Sequence, residues 1–252
     1  MYTKYTIYKQ GRRMQLQKGC ALFFGSGSRI VYFRIMHRVW VILFGFLLMG
    51  CATGAKIIDK PIDFDKSRIA LTQSYLKQHY GLEQEHITIV PKMIVIHWTA
   101  IATLEGSFNA FKTNTLPSSR DDITSAGNLN VSSQFLIDQD GTIYHLMPET
   151  YMARHVIGLN HCAIGVENVG GTKNTPLTKK QLKANIDLIT YLKNKYPIDY
   201  LIGHYEYTFF EGHPLWLEVD QDYRTIKTDP GKDFMTNLRE ATKALNFKPL
   251  PK

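Results

Sequence analysis

From Ser67 to Leu245, short apolar runs alternate with stretches of helical periodicity, and that alternation limits what the chain can fold into. Ile87–Val90 and Met93–Ile96 (MIVI) are too short for helices and read as strands broken by Pro91. Val131–Ile137 and Thr142–Leu146 flank Asp138-Gln-Asp-Gly141, a turn signal that predicts a hairpin. Ala163–Val169 and Tyr200–Ile202 read as further strands. Between them lie four helical patterns. Ser67–Tyr80 is stopped by Gly81, and Thr103–Phe111 carries Leu104, Phe108 and Phe111 inward. Pro176–Lys195 sets Leu182, Ile186, Ile189 and Leu192 in register behind a Thr178 cap, and Phe234–Leu245 is amphipathic. Strands interleaved with helices over one stretch predict a single α/β domain with a central sheet, without repeats or a second domain. Lys112–Asn130, rich in Ser, Asn, Asp, Gly and Pro, reads as a long loop, a kind that is usually functional or mobile.

The chain carries a formal charge of +8, which on its own suggests an anionic partner. The distribution argues otherwise. Residues 1–50 hold eight of the 30 Lys and Arg and no acid, so the 22 basic residues that remain meet 22 acidic ones. The body is near neutral, and no nucleic-acid partner is expected. The basic excess belongs to a leader. Met36-His-Arg is a short basic start, a better one than Met1, and Val39–Met49 (VWVILFGFLLM) is an apolar core. That run falls short of the ~20 residues needed to span a bilayer and fits a secretory h-region. Leu48-Met-Gly-Cys51 then resembles the lipobox of bacterial lipoproteins. The resemblance implies a diacylglycerol on the Cys51 thiol, and Ala52 is compatible with outer-membrane sorting. An ordinary signal peptide or signal anchor with an incidental Cys51 is the alternative. The expected organisation is a leader over 1–51, a tether over 52–65, the folded domain over 66–246 and a tail over 247–252. Cys162 is the lone cysteine of the body, so no internal disulfide is expected there, and it reads as a small buried residue rather than a nucleophile.

Three distant segments place potential metal ligands where the backbone changes direction. His97 follows the Met93–Ile96 run, His204 follows Tyr200–Ile202 and Gly203, and Asp229 precedes Pro-Gly. Two imidazoles and one carboxylate leave a tetrahedral zinc with a fourth position for water, the composition of a hydrolytic site rather than a structural one. Glu167, within Ala-Ile-Gly-Val-Glu-Asn, is either a surface residue or a group turned into a cleft. Lys227, two residues before Asp229, faces the same side if the segment is extended. There it is either a solvated lysine or a group that holds negative charge on a carbonyl oxygen.

These segments together resemble the type 2 N-acetylmuramoyl-L-alanine amidases, a family that includes phage lysozyme-type amidases and animal peptidoglycan recognition proteins. The resemblance runs from about Ile87 to Phe234. It rests on Val95-Ile-His97-x-Thr99, Val131-Ser-Ser, Asp140-Gly-Thr-Ile-Tyr144, Arg154-His155 with Asn160, Ile164-Gly-Val-Glu167, Gly203-His204 and Lys227-Thr-Asp229-Pro-Gly-x-x-Phe234. It implies a mixed β-sheet flanked by helices with zinc in a groove on one face. His97, His204 and Asp229 would be the ligands, Glu167 the general base, and Lys227 the stabiliser of the tetrahedral intermediate, with His155 on the substrate groove. The implied reaction is hydrolysis of the amide between N-acetylmuramic acid and L-alanine, in peptidoglycan or muropeptides, by an enzyme lipid-anchored in a bacterial envelope and facing the periplasm. A non-catalytic peptidoglycan binder and a zinc peptidase acting within the stem peptide are the rival readings.

Two features depart from the family pattern. Gln134 stands where an aromatic residue or histidine is common, which would alter substrate contacts. Tyr205–Arg224 is an extra segment, read as a packed excursion in preference to an added wall on the groove. His79, His86, His145, His161 and His213 are expected as surface or satisfied polar residues.

Overall fold

The computed structural model describes residues 56–117 and 126–251. The leader, Cys51 and the centre of the Lys112–Asn130 loop lie outside the described residues. Six strands form one mixed sheet: β1 (Ile57–Asp59), β2 (Met93–Ile96), β3 (Phe135–Ile137), β4 (Ile143–His145), β5 (Ala163–Asn168) and β6 (Tyr200–Gly203). Their order is β1-β4-β3-β5-β2-β6. Only β3 and β4 run antiparallel, joined by the hairpin the Asp-Gly signal predicts; every other pair is parallel. Strands β5, β2 and β6 are adjacent and parallel, so their carboxyl ends lie at one edge of the sheet, where open α/β folds place ligands.

Among the described residues four α-helices accompany the sheet: α1 (Lys66–Tyr80), α2 (Leu104–Lys112), α3 (Lys179–Lys195) and α4 (Lys232–Ala241). Each start has a local cause. Asp65 accepts from the Ser67 and Arg68 amides at α1, Thr103 accepts from Gly106 at α2, and Thr178 with Gln181 forms a capping box at α3. Gly81, at φ 63°, ends α1 in the left-handed conformation open to glycine at little cost. Among the described residues no helix is long and apolar enough to cross a membrane.

The two faces of the sheet are covered differently. Ile94, Ile96, Ile164 and Val166 point toward α3 and α4, where Leu188, Ile189, Leu192, Met235 and Leu238 complete an apolar cluster. Met93, Val95, Ala163, Tyr200 and Ile202 point the other way, against Val156, Ile157, Leu159, Tyr207, Phe210 and Tyr223, which come from loops and from the 3-10 helix His204–Phe210. Helix α2 covers the same side further along, packing Phe108 and Phe111 near Leu136.

Several expectations change. Ile87–Val90 is no sheet strand. It makes only a short bridge, with Met152 donating to the Ile87 carbonyl and Ile89 to that of Thr150. Residues 57–59, expected within a tether, form the edge strand β1 because Ile57 and Ile58 follow β4 in register. The tail from 247 is docked: Lys248 donates to the Asp199 carbonyl, and Phe247 and Leu250 pack on the two main clusters. The final helix starts at Lys232 and gives way after Ala241 to a 3-10 turn over Lys243–Leu245. Helix α3 is rotated from its expected face. It buries Gln181, Ala184, Asn185, Leu188, Ile189 and Leu192, leaving Leu182 and Ile186 at the margin. The polar pair takes buried places because each bonds to the sheet: Gln181 Nε2 donates to the Ile137 and Val169 carbonyls, and Asn185 Nδ2 to Asn168 Oδ1.

Candidate metal centre

Strand parity fixes which side chains meet. Successive side chains alternate between sheet faces. Positions 93 and 95 face the loop-covered side, so His97 does too; so do Glu167 after 163 and 165, and His204 after 200 and 202. Register aligns them. Ile96 sits opposite Val166 on one neighbour and Gly203 on the other, so the next position along is His97 between Glu167 and His204. The His97 amide donates to the Val166 carbonyl at 2.9 Å, and the Asn168 amide to the His97 carbonyl at 3.1 Å, carrying the ladder past the strand's end. One row across three parallel strands therefore presents two imidazoles and a carboxylate.

Asp229 reaches the row from the turn before α4. Tyr205 donates to its carbonyl at 3.1 Å, and Gly231 closes the turn onto Thr228 at 3.0 Å. His97 Nδ1 lies 2.9 Å from His204 Nδ1, and Asp229 Oδ2 lies 3.2 and 3.0 Å from the two nitrogens. All three residues are buried. A tetrahedral ion with ligand bonds of ~2.0–2.1 Å holds its donor atoms ~3.3 Å apart, so this triangle is close to the size a zinc ion requires. Burial first, then His97, pushes His204 down to about 4. Burial alone would raise Asp229, but the charge and hydrogen bonds of His204 and His97 outweigh it and hold the carboxyl well below the usual carboxylate range. An uncharged His204 and an ionised Asp229 are the forms that ligate a metal. The donor set fits a divalent ion.

The supports of the row extend into the core. Asn168 Nδ2 donates to the His97 carbonyl at 2.9 Å and is itself held by Asn185 of α3. Glu206 accepts from the Gly203 amide at 2.8 Å and pairs with Arg239 of α4, which steadies the exit of β6 just before His204.

Around the triad opens a cleft of about 170 Å³ whose lining includes Glu167, Lys227, His155, Trp98, Tyr75 and Tyr223. Glu167 is turned into this cleft and only 8 % exposed. Lys227 is half-buried, and its charge helps to keep His204 unprotonated. His155 is buried, with Nδ1 3.0 Å from His97 Nε2. Burial first, then His97 and His204, holds it well below the usual imidazole range. Cys51 lies outside the described residues.

Gln134 is fully buried and stays clear of the cleft. Its amide donates to the Tyr151 carbonyl and its oxygen accepts from the Gly165 amide, so it ties β5 to the neighbouring loop. The extra segment is packed through Tyr207 and Phe210, yet it also delivers Tyr223 to the cleft wall, with Thr225 directly after the segment. Cys162 is buried, and burial pushes its thiol up to about 12, an unreactive range. His79 is satisfied by Glu218 and the Ala126 carbonyl, and His145 pairs with Asp59 through Nδ1. Trp98, Tyr75, Tyr223 and Thr225 were not singled out by sequence reasoning. Tyr75 arrives from α1, and the only available signal for Trp98 was its place directly after His97.

A family model described as N-acetylmuramoyl-L-alanine amidase matches residues 87–232. No curated protein matches the chain. Among solved structures, the chain is similar to the N-acetylmuramoyl-L-alanine amidase LysC from Clostridium intestinale URNW, at 26% identity and TM-score 0.45, covering 77% of this chain and 99% of that one. It is also similar to bumblebee PGRP-SA, at 21% identity and TM-score 0.47, covering 78% and 99%. A selenomethionine AmpD derivative aligns at 20% identity and TM-score 0.46, covering 74% and 94%. With the family model spanning more than half of its length, the chain belongs to the type 2 N-acetylmuramoyl-L-alanine amidase family.

Proposed function

We propose that the protein is a zinc-dependent amidase that cleaves the bond between the lactyl carbonyl of N-acetylmuramic acid and the L-alanine nitrogen of the stem peptide. The observation that carries the reading is the convergence of His97 Nδ1, His204 Nδ1 and Asp229 Oδ2 within 3.2 Å of one another, on a cleft that also holds Glu167 and Lys227. A zinc ion held by those three residues would supply Lewis acidity toward water and the scissile carbonyl. Glu167 accepts the proton that the attacking water gives up and returns it to the departing alanine nitrogen. Its burial beside apolar strand neighbours keeps bulk water from competing for that proton. Lys227, which also lines the cleft, sets its ammonium against the negative charge that develops on the carbonyl oxygen. Trp98 and Tyr223 offer flat apolar surface for the glycan and peptide portions.

The leader supports an envelope location: a lipoprotein signal over residues 1–51, modified at Cys51 and sorted to the outer membrane, with the domain following it. Fatty-acid labelling tests this, since Cys51→Ser should abolish incorporation, and unchanged labelling would remove the lipid anchor from the account. For the reaction, mass spectrometry of muropeptides digested by the purified domain is decisive. Free peptide plus glycan is the expected product. Shortened stems would reassign the enzyme as a peptidase, and intact material would make it a peptidoglycan-binding protein.

A further inference from the structure

His155 does more than line the cleft. Its Nδ1 lies 3.0 Å from His97 Nε2, the ring nitrogen that faces away from the ligand triangle, and the two rings meet at 88°. Its other nitrogen, Nε2, faces the Ala163 carbonyl at 3.4 Å. A carbonyl oxygen only accepts, so an uncharged His155 keeps its single proton on Nε2 and leaves Nδ1 as a lone pair. That lone pair in turn calls for a proton on His97 Nε2. Asp229 Oδ2, 3.2 Å from His97 Nδ1, draws that proton the other way while no ion lies between them; once an ion takes that place, an uncharged His97 with its proton on Nε2 has a bare Nδ1 to offer it. The opposite assignment would set the His155 Nε2 lone pair against the Ala163 oxygen and put a proton on His97 Nδ1, where the ligands converge.

The ring is also clamped in place. Asn160 Oδ1 accepts from the backbone amides of His155 and Val156, both at 2.8 Å. Gly165 of β5 passes directly beneath, and a Cβ there would come within 2.9 Å of His155 Cγ and Cδ2 and 3.1 Å of Nδ1. Only a residue without a side chain leaves room for the imidazole at this point. We propose that His155 is a positioning residue for the metal centre: through the chain Ala163 carbonyl–His155–His97 it fixes His97 in the tautomer that presents Nδ1 to the ion. This rests on the metal reading above and assigns His155 a role distinct from contact with substrate.

The test measures zinc affinity by chelator competition, alongside turnover and KM. Wild-type protein should bind one zinc ion. His155→Leu should weaken zinc binding by about 10–100-fold, the usual cost of removing a partner that orients a ligand. His155→Asn should recover most of the loss, because Asn Oδ1 stands as many bonds from the backbone as His Nδ1 and also accepts. Gly165→Ala, which leaves His155 in the chain but displaces its ring, should weaken zinc as His155→Leu does. Nitrogen-15 NMR of the zinc-loaded wild type supplies a readout independent of turnover and should show the His97 Nε2 proton shared with His155 Nδ1. A His97 that binds zinc through Nε2, or wild-type zinc affinity in His155→Leu with only KM raised, would overturn the proposal and place His155 on the substrate. Absence of zinc binding by the wild type would instead overturn the metal reading on which it stands.

Discussion

The two faces of the sheet solve the same burial problem in different ways. On one, α3 and α4 lay regular apolar stripes over Ile94, Ile96, Ile164 and Val166. On the other, loops and aromatic side chains cover Met93, Val95 and Ile202, and the same strands end in His97, Glu167 and His204. Helices give a continuous lid and can satisfy their own backbone; loops leave gaps, and the cleft is one of them. The difference predicts a division of labour. Substitutions in the helix-face core should lower stability and spare the site, whereas substitutions of the cleft residues on the loop face should abolish chemistry and spare the fold.

The largest effect belongs to the ligands. His97→Ala and His204→Ala should each lose both zinc and activity while retaining the wild-type circular dichroism spectrum. Full zinc occupancy in both variants by elemental analysis would break this half of the comparison. Glu167→Gln should keep zinc and lose a factor of ~10²–10⁴ in turnover, the range for a general base, and Lys227→Ala a factor of ~10²–10³. Turnover near wild type in either variant would return that residue to a structural role. On the helix face, Leu188 is fully buried, and Leu188→Ala should cost about 2–5 kcal/mol in denaturant unfolding, with an unchanged zinc content per folded molecule. Zinc loss at that position would show that the faces are coupled, with the Asn185–Asn168–His97 chain as the obvious route.

Smaller effects sharpen the contrast. Thr178→Ala removes the α3 cap at about 1 kcal/mol and should leave turnover unaffected. His161 belongs to the loop-covered side; its ring meets Tyr80 edge-on at 5.3 Å, and burial pushes it down to about 4. Between pH about 6.5 and about 4, the unfolded chain takes up a proton that the folded protein refuses, so this contribution is intact above the window and is lost as pH falls through it. His161→Phe should therefore show a shallower fall in Tm than wild type from about pH 7 to about pH 4.5. Identical slopes would acquit His161.

The central strands and the triad row were both legible in the sequence, for related reasons. Apolar runs of strand length ending in His97 and His204 fix both the layer and, by parity, the side on which the ligands emerge. What was hidden depended on partners distant in the chain. The rotated face of α3 follows from buried Gln181 and Asn185, whose bonds to the sheet no local pattern reveals. Strand β1 is three residues long and exists only because β4 offers an edge. Tyr75 and Tyr223 reach the cleft from α1 and from the extra segment, which share no motif with the strands. Gln134, expected to alter substrate contacts, is instead taken up by the backbone around it at both of its polar ends.

The docked tail has a consequence for how the molecule behaves in company. Strand β6 is the outer strand of its side of the sheet, and an uncovered edge of this kind is a template on which another chain can pair. Here the Arg239 guanidinium donates to the Leu201 carbonyl, and residues 247–250 lie alongside, with the Lys248 amide on Asp199. At the far side, β1 is too short to recruit a neighbour efficiently. Trimming the chain at Asn246 would strip the cover from β6 while leaving every cleft residue in place. Such a shortened protein would be expected to work at low concentration and to scatter light as it is concentrated, its failure being one of solubility rather than of catalysis.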